Sequence, residues 1–321
     1  MNSKVVKILF VDFWEGFDYL TSYIFRKLTR RYNIEISNSP DILIYSVFGN
    51  QHRKFACTKV FYTGENIRPN LNECDFSFSF DYLADSRNYR LPLYYFYDNV
   101  NKLINHQIDA ENELRLKTEF CCFIVSNPIN EIRNNFFIKL NNRKHVDSGG
   151  RFLNNLGKEV DNKREFIRKY KFVIAFENSN YPGYVTEKIY EPFLESCVPI
   201  YWGTDLIHKD FNPKRFINYH DFGDMDKLIE HILYVDANDD VYLDYLKQPV
   251  FINDELNEYI KDKNIHFFIK RIIDSSTNKS LKAKARRNKR VLILFGKFLV
   301  KKFIRKSKNL IFYLKLRLIE N

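Results

Sequence analysis

A chain of 321 residues, 45% hydrophobic and 17% aromatic, carries enough apolar side chain to fill two domains of ordinary size. This excludes a disordered chain and a small disulfide-stapled one. The net charge of +11 is unevenly spread: fifteen Lys or Arg and no Asp or Glu lie in residues 279–317, so the body is nearly neutral and the tail is basic.

In chain order, residues 5–11 read as a strand and 21–32 as an amphipathic helix with a basic face. The first run is too short to span or target a membrane, and no signal peptide is expected. Residues 34–36, 42–47, 59–62, 76–80 and 91–95 continue as strands, which predicts a parallel sheet covered by helices. Residues 98–119 turn polar and helical, as a linker would. A second α/β unit opens with the apolar run 120–126, followed by helices over 131–141 and 165–170. Helices are expected again over 225–235 and 239–248. The expected boundaries are 1–117, 118–255 and a C-terminal segment 256–321. Cys57, Cys74, Cys121, Cys122 and Cys197 are odd in number and lack metal-ligand spacing; they read as buried reduced thiols.

Residues 172–203 read FVIAFENSNYPGYVTEKIYEPFLESCVPIYWG. A short apolar strand runs to Phe176, a polar loop follows, Thr186 N-caps a helix, and Val198 opens the next strand. Pro192 should kink this helix or delay its start. Such a βαβ unit binds ligands beyond the carboxyl ends of its strands, where a helix start favours phosphate. Lys188 sits in the first turn, opposed by the helix dipole, which makes sense if an anion joins it. Asn178 suits a sugar and Glu187 suits ribose hydroxyls. The plainer alternatives are an Asx-turn, a favourable helix start and a solvated lysine.

The stretch Phe176-Glu177-Asn178-Ser179, then Tyr184-Val185-Thr186-Glu187-Lys188, then Val198-Pro199-Ile200 resembles the donor-site motif of the α-1,3/1,4-fucosyltransferases, glycosyltransferase family 10. Further similarity lies in Tyr62-Thr63-Gly64-Glu65-Asn66, Phe80-Asp81-Tyr82, Arg90-Leu91-Pro92, Ser126-Asn127-Pro128, Arg133 and Lys209-Asp210-Phe211-Asn212-Pro213. The resemblance covers residues 59–221 closely and is nearest the bacterial, Helicobacter-like branch. It implies an α/β GT-B fold, two Rossmann-like domains facing a cleft, with a basic amphipathic C-terminal helical tail. It also implies transfer of L-fucose from GDP-β-L-fucose to the 3-hydroxyl of GlcNAc in an oligosaccharide or lipopolysaccharide acceptor, with inversion.

The resemblance assigns donor-binding roles to Arg133, Asn178, Tyr184, Glu187, Lys188 and Glu177. Arg133 and Lys188 counter the diphosphate charge, since a guanidinium donates two parallel hydrogen bonds to phosphate. Tyr184 packs against the nucleotide. Glu177 holds fucose hydroxyls, orients Lys188, or is purely structural. Glu65, after the strand ending near Tyr62, is the candidate catalytic base. The alternatives are a helix-face ion pair to Glu131 or solvent for Arg133, a turn carboxylate for Glu65 and a core aromatic for Tyr184. The seven histidines are scattered, so no metal is expected, no cofactor is required, and a divalent cation is at most stimulatory.

The apolar runs within 279–319 are too short and too charged to cross a bilayer and read as a helix on an anionic membrane surface. No nucleic-acid readout motif is present. Animal members of the family carry an N-terminal anchor; the expectation here is a cytoplasmic enzyme, peripheral on the inner face of a bacterial plasma membrane. Two other readings are a GT-B transferase with a different nucleotide-sugar donor and a catalytically silent membrane-bound glycan- or nucleotide-binding protein.

Overall fold

The computed structural model describes residues 5–97, 100–104 and 108–277. The predicted basic tail, 279–319, lies outside the described residues. Two parallel sheets organise the chain. The first has the order β2-β1-β3-β4-β5-β6: β1 (Val6–Val11), β2 (Ile34–Ile36), β3 (Ile42–Tyr45), β4 (Thr58–Tyr62), β5 (Phe76–Ser79) and β6 (Asn88–Arg90). Residues Ile42 to Tyr45 are buried on both faces, as an unbroken apolar run in a covered parallel sheet requires. α1 (Tyr23–Thr29) is capped by Ser22, whose Oγ accepts from Phe25 N at 3.3 Å, and lays Ile24 and Leu28 on this sheet.

One expectation fails in this unit. Residues 91–95 are not a strand. β6 ends at Arg90 and the chain passes through Pro92 into α2 (Tyr94–Tyr97), because proline has no N–H to extend a ladder. The described part of the C-terminal segment 256–321 packs on this first unit. α9 (Asp262–Thr277) buries Ile265, Phe268, Ile269, Ile272 and Ile273 in the first core, beside Ile8, Ile44 and Phe78.

The second sheet has the order β11-β10-β9-β7-β8: β7 (Glu119–Phe123), β8 (Asp147–Ser148), β9 (Tyr170–Phe176), β10 (Val198–Trp202) and β11 (Ile217–Asn218). Its helices include α3 (Ala110–Leu116), α4 (Glu131–Arg143), α5 (Lys163–Ile167), α6 (Glu187–Leu194), α7 (Met225–Ala237) and α8 (Asp239–Leu246). The expected linker is partly packed: Val100 and Leu103 join the core beneath α6. α6 starts at Glu187 with Thr186 as N-cap, so Pro192 does not delay it. The helix instead stops two residues after the proline. Ser196 turns left-handed at φ 54°, and Cys197 N donates to Pro192 O at 2.9 Å.

The two units meet at the carboxyl ends of their strands. Asn66 Nδ2, on the loop after β4, donates to Ser179 Oγ, on the loop after β9, at 2.5 Å. Deeper in, Arg90 is paired in bidentate fashion with Asp210, Nη1 to Oδ1 at 2.8 Å and Nη2 to Oδ2 at 2.6 Å. Arg90 also donates to Gly183 O at 3.2 Å. Gly183 has φ +86°, and a Cβ there would stand 2.6 Å from Phe80 O, so the close approach of the units needs glycine.

Candidate active site

Asn130 ties α4 to the end of β9. Its Oδ1 accepts from Arg133 N at 3.0 Å, and its Nδ2 donates to Glu177 O at 2.9 Å. This capping aims Arg133 inward, where it is 1% exposed. Its Nη1 donates to Asn178 Oδ1 at 2.7 Å and its Nη2 to Asn127 O at 2.5 Å. The alternative of a solvent-facing ion pair on the helix surface therefore does not hold. Burial lowers the Arg133 pKa, with the Glu177 charge acting the other way.

Glu177 is fully buried and holds the start of α6. Its carboxylate accepts from Thr186 N at 2.7 Å and Thr186 Oγ1 at 2.8 Å, and lies 3.5 Å from Lys188 Nζ. Gly203 makes room, since a Cβ there would approach Glu177 Cγ to 2.8 Å. Burial raises the Glu177 pKa, opposed by Lys188. For Lys188, burial acts downward, but the Glu177 and Glu187 charges outweigh it and its pKa is raised. Glu187 lies 3.4 Å from Lys188 Nζ; burial acts upward on its pKa, and Lys188 and Lys163 bring it below the usual carboxylate value. Arg133 acts in the downward direction on Lys188 by like-charge repulsion, against the larger pull of the carboxylates.

Asn178 is exposed at the end of β9 and is bonded to Arg133, so it is neither an isolated loop residue nor a local turn. Tyr184 takes the core position that was its alternative reading. Its ring is buried against Phe80, edge-on at a centroid distance of 5.2 Å, in a cluster with Leu93 of the first unit. Its phenol is held well above its ordinary pKa by burial, and then by Glu177, Glu187 and Glu65.

Glu65 is exposed on the loop after β4, one residue before the Asn66 contact with the second unit. The turn uses its backbone, whose N–H donates to Thr63 Oγ1 at 3.1 Å. The structure thus brings Arg133, Asn178, Glu177, Glu187 and Lys188 together at one sheet edge, with Glu65 on the facing loop. Among the described residues, no three His, Cys, Asp or Glu side chains converge as a metal site. Sequence reasoning missed Asn130 and, although it named Asn66, Arg90 and Asp210 within motifs, gave them no role. Asn130, directly before a helix, carries a legible N-cap signal; the other three depend on long-range contact.

Residues 8–97 match the family model described as the alpha-(1,3)-fucosyltransferase FucT N-terminal domain. Residues 114–264 match the one described as glycosyltransferase family 10 (fucosyltransferase) C-term. The chain is 33% identical over 323 residues to the alpha-(1,3)-fucosyltransferase FucT of Helicobacter pylori, an alignment covering 85% of this chain and 66% of that protein. It is 30% identical over 138 residues to the 4-galactosyl-N-acetylglucosaminide 3-alpha-L-fucosyltransferase 9 of Mus musculus, covering 41% of this chain and 38% of that one. The chain thus spans just under two thirds of the Helicobacter relative's length and less of the mouse one.

Among solved structures it is similar to an alpha1,3-fucosyltransferase with GDP-fucose, with a TM-score of 0.71 and 32% identity, covering 85% of this chain and 92% of that one. The GDP complex of an alpha1,3-fucosyltransferase gives a TM-score of 0.73 at 31% identity, over 85% of this chain and 91% of that one. The paired α/β units are of GT-B type, both halves match fucosyltransferase models, and the chain belongs to glycosyltransferase family 10, the fucosyltransferases.

Proposed function

We propose that the protein is an inverting α-1,3-fucosyltransferase that moves L-fucose from GDP-β-L-fucose to the 3-hydroxyl of GlcNAc in an N-acetyllactosamine-type glycan. One observation carries this reading. Two cations, Arg133 and Lys188, are anchored at the carboxyl edge of the second sheet, and an exposed carboxylate, Glu65, stands on the facing loop where the units touch. The diphosphate is countered by Arg133 and Lys188, so GDP leaves as an anion without a general acid. Glu65 takes the proton from the acceptor hydroxyl as that oxygen attacks the anomeric carbon from the opposite face. Glu187 accepts from the ribose hydroxyls and Asn178 bonds the sugar or diphosphate. Glu177 positions Lys188 rather than touching substrate, because it has no exposed surface.

The similarity to structures with GDP-fucose and GDP supports the donor. The named acceptor of the mouse relative supports GlcNAc and the 3-linkage. Incubation with GDP-fucose and N-acetyllactosamine is expected to give an α-linked product, read by the anomeric coupling in NMR. Glu65→Gln is expected to abolish transfer while the GDP dissociation constant, measured by calorimetry, stays unchanged. An equal loss of GDP affinity would remove Glu65 from the role of base.

The tail suits an anionic membrane surface, and the protein is proposed to act at the cytoplasmic face of a bacterial plasma membrane. Binding to anionic liposomes should fall steeply with salt and vanish on truncation before Lys279; equal binding by the truncated chain rejects this placement.

A further inference from the structure

We propose that Trp14 and Phe48 form a stacking shelf for a pyranose ring of the acceptor glycan, next to the ring that receives fucose. The proposal rests on the fucosyl-transfer reading above and adds to it a site for the acceptor.

The two side chains are large, apolar and half exposed, Trp14 at 48% and Phe48 at 50%. They come from the loops after β1 and β3 and meet edge-on, with centroids 6.1 Å apart and planes at 78°. Single exposed aromatics need no explanation, but a joined pair on a rigid support marks a binding surface. The support is an aromatic train. Trp14 stands edge-on to Phe17 at 4.8 Å, Phe17 stacks on Phe13 at 3.9 Å, and Phe13 lies 6.0 Å from Tyr62. Tyr62 ends β4, three positions before Glu65.

Asp12 fixes the two loops to one another. It is buried, adopts a left-handed φ of 60°, and its carboxylate accepts from Gln51 N at 2.8 Å and His52 N at 2.9 Å. His52 Nδ1 lies 2.6 Å from the same carboxylate, Tyr45 stacks on the His52 ring, and Phe48 N donates to Asp12 O at 2.9 Å. Gly49 leaves no space for a side chain beside Asp12. The loops therefore present Trp14 and Phe48 as one preorganised surface.

Position and chemistry select the occupant. β1, β3 and β4 are neighbours in the sheet. Adjacent strands are about 4.8 Å apart, which puts the loop after β1 about 10 Å from the Glu65 loop along the edge that binds ligands. A sugar adjoining the fucosylated ring spans that gap. A pyranose offers one face of C–H groups to an aromatic ring and keeps its hydroxyls at the rim, where Glu15, Asn50 and Gln51 are exposed. A protein partner needs about 800 Å² of contact, far more than two rings supply.

The test is steady-state kinetics of Trp14→Ala and Phe48→Ala on the full chain, with N-acetyllactosamine, lactose and GlcNAc as acceptors. Both residues are exposed, so folding is expected to be kept. Acceptor KM for the disaccharide that the unaltered enzyme uses best should rise roughly tenfold, equivalent to about 1.4 kcal/mol. The GDP-fucose KM and the kcat at saturating acceptor should stay within twofold, and Trp14→Phe should restore most of the acceptor affinity. GlcNAc alone, lacking the adjoining ring, should show no dependence on either side chain. Transfer with an unmoved disaccharide KM in both variants overturns the shelf and leaves the fucosyl-transfer reading intact. Transfer to none of the three by the unaltered protein overturns that reading and the shelf with it.

Discussion

Glu177 shows how a single buried carboxylate organises a cationic site. Both of its oxygens serve Thr186 at the start of α6, and one of them also stands 3.5 Å from Lys188 Nζ. Pairing raises the Lys188 pKa above 10.5 despite burial. A raised lysine contributes stability that is fully present below 10.5 and is lost as pH rises through the higher folded value. Glu187 has the opposite sign: its contribution is present above 4.5 and is lost as pH falls through the lower folded value. Glu177→Gln keeps the shape and removes one of the two carboxylates that raise Lys188. GDP affinity, titrated by calorimetry from neutral to alkaline pH, is then expected to begin falling at a lower pH than in the unaltered enzyme. Coincident alkaline limbs would show that Glu177 does not control Lys188. Lys188 and Glu187 were legible because their motif and helix position are local. The packing partners of Tyr184 were not, because Phe80 and Leu93 lie about a hundred positions away.

At the scale of elements, β1 to β5, β7, β9 and β10 and the helices α4, α6, α7 and α8 follow the residue pattern, whereas β6, β8 and β11 were not expected and the helix expected over 165–170 is α5, with Tyr170 already opening β9. Continuous apolar runs mark the strands, and Asn130, Thr186 and Asp224 stand at the starts of α4, α6 and α7. The exception in packing is α9. Its apolar stripe is plain in the sequence, but a stripe names no partner. The structure places Phe268 edge-on to Phe76 at 5.8 Å and Phe78 at 5.1 Å, so α9 closes the first core. Phe268→Ala is expected to cost about 3–5 kcal/mol in urea denaturation, the usual loss for a buried phenylalanine. A cost below about 1 kcal/mol would mean that α9 is not an integral part of that core.

Across the whole molecule, the two units are fastened by the Arg90–Asp210 pair, 120 residues apart in sequence and almost fully buried. Asn257 Nδ2 and Tyr94 Oη donate to one Asp210 oxygen at 3.1 and 3.2 Å, so the carboxylate is held from several sides. Arg90 also packs against Tyr82, at 4.2 Å from its ring centroid. Removing one partner strands a buried charge, so Asp210→Asn is expected to cost about 3–5 kcal/mol. It should also split thermal unfolding into two calorimetric transitions, one for each unit. A single transition at the unaltered temperature would rule out the fastening. Residue order alone was enough for the parallel α/β pattern, the loop between Phe176 and Thr186 and the Thr186 cap of α6, because each depends on residues within a few turns of one another. The folded arrangement was needed to show that Arg133 points inward, that Glu65 faces the loop after β9, and which core receives α9. Those outcomes depend on which distant surfaces exclude water together, and periodicity along the chain carries no record of that choice.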